Sequence, residues 1–163
     1  MAIARISITC DTCGKVFEHR HESHNRHEAN SYEDWAKANI TTCPECKRKA
    51  SAADAQSKLQ ATLTRLGITL PALEGVSDKQ VNYAISVRDR YLACNIKDIT
   101  RYHKGMQAMA DPAARAQAMA SCEAAGISYE DGLEITLRSA HLYDVHLALT
   151  SSSARAILDK FSR

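Results

Sequence analysis

Residues 10–13 read Cys-Asp-Thr-Cys and residues 43–46 read Cys-Pro-Glu-Cys, and these two segments decide how the chain is organised. Two residues separate the cysteines of each pair, so both thiolates can reach one ion in tetrahedral geometry. A single pair would also suit a thioredoxin-like redox motif, but two pairs in a chain without a βαβ pattern are typical of zinc. Four protein ligands leave no open position for water, which indicates a structural metal. The predicted ligands of this one zinc ion are Cys10, Cys13, Cys43 and Cys46.

The residues beside the two pairs suit such a site. Gly14 follows the first pair, where the backbone often needs a positive φ that glycine adopts without steric cost. Pro44 stiffens the second pair. Basic side chains close to the pairs would offset the net negative charge of four thiolates around one zinc ion: Lys15, Lys47, Arg48 and Lys49.

The composition predicts a helical protein around this module. Hydrophobic residues make up 45% of the 163 residues and aromatic residues only 6%, so Ala, Leu, Ile, Val and Met must build the core. This Ala-rich composition favours closely packed helices. The predicted fold is mostly α with a small N-terminal β and zinc-ribbon module, followed by about five helices in a bundle. Residues 1–50 would form the module with its His- and Arg-rich insert, and residues 51–163 the helical domain.

Local patterns give the expected elements. Residues 3–8 alternate loosely and predict a short strand, with residues 15–17 as its return partner. Residues 31–38 predict a short helix with Ser31 as its N-cap. The helices expected after the second cysteine pair are 48–66, 78–93, 96–110, 112–126, 129–149 and 152–161.

Charge and hydropathy narrow the function classes. The formal net charge is +2, with eight Lys/Arg against seven Asp/Glu in residues 1–50 and thirteen against twelve in residues 51–163. A general duplex-DNA binder usually carries an obvious positive excess. The sequence shows no targeting segment and no apolar run of the roughly 18 residues that cross a membrane, so we expect a cytoplasmic protein without a membrane partner. In that reducing compartment paired cysteines indicate metal binding before disulfides.

The insert between the cysteine pairs, residues 19–28, is rich in histidine and admits three interpretations. Arg20, His24 and Arg26 can form a contact surface for a partner, including phosphates or bases of a nucleic acid. His24 with His27, or His19 with His21, can instead bind a second metal. The insert can also be a solvated strand and loop of mixed charge, which we favour because nearby glutamates nearly cancel the arginines.

Three further side chains are expected to be structural. Trp35, the only tryptophan, should pack against the back of the zinc module. Cys94 and Cys122 should be small buried hydrophobic residues of helices.

The methionines of the helical part suit a bundle core or a homodimer face equally well: Met106, Met109 and Met119.

A second signature lies in residues 73–90, Leu-Glu-Gly-Val-Ser-Asp-Lys-Gln-Val-Asn-Tyr-Ala-Ile-Ser-Val-Arg-Asp-Arg. Ser77 and Gln80 match a capping box that starts a helix. The segment resembles one in small uncharacterised proteins of phages and other mobile elements, which read Leu-x-Gly-Ser-x-Lys-Gln-Ile-x-Trp-Ala-x-x-Ile-Arg downstream of a Cys-x-x-Cys ribbon. Here Val76 is inserted and Tyr83 replaces the tryptophan. The matching residues are Leu73, Gly75, Ser77, Lys79, Gln80, Val81, Ala84, Val87 and Arg88.

This resemblance implies a mobile-element accessory protein. Such proteins commonly regulate transcription or inhibit host functions, including restriction and CRISPR nucleases, so an anti-CRISPR role is one expectation. Lys79, Gln80 and Arg88 would form a polar face that meets the partner.

The chain carries no Gly-rich phosphate loop, nucleophile elbow or metal-hydrolase helix, so we predict a protein that is not an enzyme. Its partner would be a host protein or nucleoprotein. The alternative is a nucleic-acid-binding transcriptional regulator that uses the zinc ribbon.

Overall fold

The computed structural model describes residues 1–162 and is mostly helical, with eight helices and one two-stranded sheet in that range. The predicted fold class is therefore confirmed. The chain divides into two compact units, Met1–Asp54 and a second that begins at Ala55, whereas the sequence suggested a boundary after residue 50. None of the helices described in residues 1–162 combines the length and the apolar character needed to cross a membrane.

The first unit is a β-hairpin covered by one helix. Strand β1, Ala2–Thr9, pairs antiparallel with β2, Val16–Ser23, and Thr9 lies opposite Val16 beside the turn. Helix α1, Arg26–Asn39, packs on this sheet. Side chains alternate along β1, so every second one faces the helix. The buried core of the unit is small: Ala4, Ile6, Ile8, Ala29 and Ala36.

Helix α1 begins earlier than the sequence suggested. Its N-cap is Asn25, whose side chain accepts a hydrogen bond from the Glu28 backbone N–H at 2.9 Å. The Glu28 carboxylate accepts from the His24 N–H, one residue before the cap, at 3.2 Å, and from the Asn25 side-chain amide at 3.0 Å. Ser31 lies inside the helix and donates to the His27 carbonyl. The expectation of a helix capped by Ser31 is wrong, because it overlooked an asparagine three residues before a glutamate.

The remaining chain is a series of helices. Helix α6 ends at Ser139 and α7 starts at Tyr143, where one helix over 129–149 was predicted. The predicted helix is interrupted at His141, which has a φ of 57°. The Leu142 N–H donates to the Leu137 carbonyl, as at the C-terminal end of many helices. The bounds are α2 Pro44–Leu66, α3 Asp78–Cys94, α4 Ile96–Met109, α5 Pro112–Ala124, α6 Tyr129–Ser139, α7 Tyr143–Thr150 and α8 Ala154–Phe161.

The second unit has a larger core than the first. Its main cluster draws leucine, isoleucine, valine and tyrosine side chains from five helices, and a second cluster joins α3 to α8. Helix α5 contributes no buried residue. The buried residues of the main cluster are Leu59, Leu63, Leu92, Ile99, Tyr102, Leu137, Leu142, Val145, Ala148 and Leu149.

The segment 73–90 builds the contact between α3 and α8. The Ser77 side chain accepts from the Gln80 N–H at 3.3 Å, as predicted, and the Gln80 side chain accepts from the Val76 N–H at 2.8 Å. Glu74 forms a parallel bridge to Ser153 just before α8. A Cβ on Gly75 would lie 2.9 Å from Gln80 Oε1 and 3.1 Å from the Ala154 methyl, so glycine is needed for this close approach.

Arg88 belongs to the buried side of α3. Its side chain is 6% exposed, and Nη1 donates to the Pro71 carbonyl at 2.8 Å. Residue 88 lies four positions after the buried Ala84 and four before the buried Leu92, so it lies on the core face of the helix. This corrects the expectation that Arg88 shares an exposed polar face with Lys79.

Candidate metal centre

The first cysteine pair is formed by the turn between the strands. Cys10 follows β1 directly, and its N–H donates to the Lys15 carbonyl at 2.9 Å. The Gly14 N–H donates to the Cys10 carbonyl at 2.8 Å, and Gly14 has a φ of 71°, as the sequence predicted. This tight turn brings Cys13 back beside Cys10.

The second pair is part of a helix N-terminus. Helix α2 begins at Pro44, so Cys43 stands in the N-cap position and Cys46 in the first turn. The Cys43 sulfur accepts from the Cys46 N–H at 3.4 Å, and the Cys43 carbonyl accepts from the Lys47 N–H at 3.0 Å. Proline suits the first helical position because its missing N–H would have no intrahelical partner there.

The four sulfurs converge on one point. All four Sγ atoms lie within 4.8 Å of one another, and Cys13 Sγ is 3.9 Å from Cys43 Sγ. Thiolates at about 2.3 Å around a tetrahedral ion are separated by about 3.8 Å, so the observed spacing fits a metal. Cys10 and Cys43 are buried, Cys46 is half-buried and Cys13 is exposed. The chain therefore holds a four-cysteine group that can bind a metal ion.

Electrostatics distinguish the four thiols. The Cys43 backbone N–H donates to Cys10 Sγ at 3.2 Å, and chiefly this bond lowers the pKa of the Cys10 thiol to about 6. The side chain of Cys43, followed by that of Cys13, raises the pKa of the Cys46 thiol to about 12. Negative charge therefore collects at Cys10, and a metal ion must displace the proton held at Cys46.

Basic residues lie around the centre as the sequence suggested. Lys49 bonds to Glu45 at 2.8 Å, and this bond is the main reason that the pKa of Lys49 is raised and that of Glu45 lowered. Lys15 and Lys47 are exposed.

The histidine-rich insert forms ordered secondary structure. His19 and His21 are in β2, and His27 is in the first turn of α1. His19 Nε2 lies 2.8 Å from the Tyr32 hydroxyl, and the His21 ring stacks on Tyr32 with centroids 3.8 Å apart. Residues 20–22 and 24–28 are exposed, which agrees with the favoured interpretation of a solvated strand of mixed charge, although residues from Arg26 onward belong to a helix and not to a loop. Among residues 1–162 the four cysteines are the one group of three or more metal-ligating side chains brought together, so the histidines do not assemble a second such group.

The predicted contact residues are dispersed. Arg20 and Arg26 are exposed in the first unit, and Arg20 pairs with Glu22 at 3.1 Å. His24 is exposed and precedes the α1 cap. Lys79 is exposed on α3, whereas the Gln80 side chain is engaged in the helix cap.

Trp35 is the functional candidate that sequence reasoning missed. Trp35 is 52% exposed and does not form part of the core. Its neighbour Ala36 is buried against the sheet, and adjacent residues of a helix point in different directions, so the Trp35 ring lies outside that contact. Its ring lies 5.4 Å from that of Tyr32. Both rings line an open groove of about 960 Å³ in the first unit. The only sequence signal was the i, i+3 spacing of Tyr32 and Trp35, which places two rings on one helix face.

Other expectations about burial also changed. Cys94 is exposed and Cys122 is half-buried, so Cys94 is not a core residue. Met106 packs against the main core, whereas Met119 on α5 is 51% exposed.

Comparison of the chain with protein-family models, characterised proteins and solved structures gives no significant match.

Proposed function

We propose that the four-cysteine group binds one Zn²⁺ and that this ion has a structural role. Four sulfur donors at tetrahedral spacing suit zinc, and iron is the main competitor for such a set. Four protein ligands leave no coordination position for a substrate or a water. Elemental analysis of protein purified without added metal should give one equivalent of zinc and a colourless solution. One equivalent of iron with visible absorption would contradict the zinc assignment.

The chain acts, on this proposal, as a binding protein without catalytic turnover. The observation that supports it best is the closed metal centre beside an exposed tryptophan. A closed centre stabilises a surface and does not activate a substrate. The surface beside it exposes Trp35, a residue type enriched at interaction hot spots. The resemblance of residues 73–90 to proteins of phages and mobile elements makes a host protein or nucleoprotein, such as a CRISPR effector, the first partner class to test.

The test is an affinity capture with the zinc-loaded protein from a host extract, performed with and without nuclease. A protein partner should be retained after nuclease treatment at a ratio near one to one and remain chemically unchanged. Turnover of a target by amounts of protein far below the target concentration would show that the chain is an enzyme.

Nucleic-acid binding by the zinc ribbon is the alternative function. It draws on the exposed arginines Arg20 and Arg26 and on the basic residues around the second cysteine pair. In that case capture would be lost after nuclease treatment. Retention on heparin or DNA would also fall steeply as the salt concentration rises, because phosphate contacts release counterions.

A further inference from the structure

The groove beside the metal centre has two helical walls. Tyr32, Trp35 and Asn39 stand at i, i+3 and i+7 on one face of α1, and residues within 44–54 of α2 form a second wall. Phe17 and His19 of β2 add two more rings to the lining, and residues 40–42 connect the two walls. The groove volume of about 960 Å³ lies at the upper end of the range of about 300–1,000 Å³ found for ligand sites.

The walls differ in chemistry. The α1 wall and β2 offer rings, whereas the α2 wall has small residues at its centre, Ala50 and Ser51, that leave space. Lys47 lies on the same wall, exposed and without an ion-pair partner among residues 1–162. Asp54 stands seven residues further along α2, about 10 Å of helix away. The groove thus presents aromatic surface facing a helix wall that carries an available cation at one end.

We propose that this groove binds a segment of a partner protein in which an acidic residue stands close to a large apolar side chain. This inference rests on the proposed binding function and names its site. The apolar side chain would lie between Trp35 and the small residues of α2, and the acidic residue would pair with Lys47. Thr41, Thr42 and Asn39 add polar groups that can bond to a peptide backbone.

Charge favours a peptide over single-stranded nucleic acid. A strand of nucleic acid needs several cations along its backbone as well as rings for stacking. Lys47 is the one lysine or arginine that lines the groove, and Asp54 shares its wall. One face of Tyr32 is already covered by the His21 ring. These features suit a single carboxylate with an apolar neighbour.

The experiment starts with zinc-loaded protein and a display library of random twelve-residue peptides. We expect the selected peptides to carry Asp or Glu within a few positions of Phe, Leu, Ile or Trp. One selected peptide is then synthesised with a fluorescent label, and its binding is measured by anisotropy. A version with its acidic residues replaced by lysine and a dT15 oligonucleotide serve as comparison probes.

Two pairs of variants locate the site. Trp35→Ala should weaken peptide binding about tenfold or more, as loss of a hot-spot aromatic does. Tyr83→Ala removes an equally exposed ring in the second unit and should change binding less than twofold. Lys47→Gln should weaken binding about threefold to tenfold. Lys37→Gln neutralises a lysine of α1 that does not line the groove and should have no effect. Zinc content and circular dichroism confirm that each variant is folded.

Four results would overturn the inference. Peptides that bind Trp35→Ala as well as the unchanged protein would place the site elsewhere. Binding of dT15 that depends on Trp35, with no peptide selected, would make the groove a nucleic-acid site. A dimer that dissociates on Trp35→Ala would show that a second copy fills it. A selected peptide that lacks acidic residues, or that binds equally well after their replacement by lysine, would remove the role of Lys47.

Failure of the inference is separable from failure of the proposed function. If Trp35→Ala still captures the host partner one to one, the chain is a binding protein that uses another surface. If the peptides bind the groove but the unchanged protein captures no partner, the groove stands and the proposed function fails.

Discussion

The two units of this protein differ in what holds them together. The first, residues 1–54, buries two isoleucines and three alanines in its core, whereas the second buries leucine, isoleucine, valine and tyrosine side chains from five helices. A core as small as the first offsets a smaller share of the conformational entropy of its residues than the larger core of the second does. If the four-cysteine group holds zinc as proposed, the ion would add free energy to the first unit, which should then depend on its ion while the second depends on burial. The following predictions test this difference, from the largest expected effect to the smallest.

Removal of one metal ligand should give the largest effect. Cys43→Ser removes a predicted ligand, whereas the serine hydroxyl can still accept from the Cys46 N–H at the start of α2, so zinc should be lost and the first unit should unfold while the second stays folded. Structural zinc contributes about 10 kcal/mol or more in small zinc peptides. NMR spectra of the variant should keep the dispersed signals of the second unit only.

The control for that variant is Cys94→Ser. Cys94 is exposed on α3, so its change should leave zinc content and thermal unfolding unaltered. Equal melting curves for the two variants would contradict the division into a metal-dependent and a burial-dependent unit.

Acid should act on the same ion. Zinc binding needs all four thiolates, and the Cys46 thiol has a pKa raised to about 12, so the metal competes with protons throughout the neutral range. Zinc release should therefore grow as the pH falls, and unfolding of the first unit should accompany it. A chromogenic zinc indicator with circular dichroism would follow both, and zinc release without loss of structure would argue against the structural role.

Arg88→Ala should destabilise the second unit by about 3 kcal/mol, because the Pro71 carbonyl loses its hydrogen bond and Asp89, which keeps its bond from Gln56, loses its ion-pair partner. Urea denaturation monitored on the second unit measures the change. Arg90→Ala, two positions away and exposed, should cost less than about 0.5 kcal/mol. Similar losses in the free energy of unfolding for the two variants would indicate that Arg88 is exposed, as the sequence suggested.

Replacing each of two glycines of the second unit by alanine should change the free energy of unfolding in opposite directions. Gly75→Ala places a methyl group against Gln80 and Ala154 and should cost about 1–3 kcal/mol. Gly105→Ala lies inside α4 with no atom within 4 Å of the new methyl, and it should increase the free energy of unfolding by up to about 1 kcal/mol. An unchanged or increased free energy of unfolding for Gly75→Ala would contradict the need for glycine at this contact.

The smallest effect should come from the α1 cap. Asn25→Ala removes the acceptor for the Glu28 N–H and should cost about 1 kcal/mol in the zinc-loaded first unit. Ser31→Ala replaces a residue inside the helix and should be neutral or slightly stabilising. Thermal unfolding at fixed zinc concentration compares them. The reverse order would restore Ser31 as the cap.

Local patterns predicted much of this structure. The cysteine spacing predicted the four-cysteine group, and Gly14 predicted the positive φ of the turn. Ser77 and Gln80 predicted where α3 starts. Each of these depends on residues close together in the chain.

Features that depend on distant parts of the chain were not predictable. Helical periodicity shows which residues share a face but not what covers that face. The sequence therefore did not predict that Arg88 would be buried with a hydrogen bond to the Pro71 carbonyl, or that Trp35 would be exposed. His141 ends α6 without a glycine or proline to mark the break.

If the centre holds zinc as proposed, Cys43 would couple exchange of the ion to opening of the N-terminal end of α2. The Cys46 N–H is held by the Cys43 sulfur and the Lys47 N–H by the Cys43 carbonyl, so both amides are protected only while the end of α2 is closed. An ion that leaves the centre frees that end, and the two amides can then exchange with deuterium. Their exchange rates should therefore follow the residence time of the metal, and an excess of free zinc should slow them. The exchange rates of amides in the middle of α2 should not depend on zinc. The rates of the Cys46 and Lys47 amides would therefore report how long the ion stays bound.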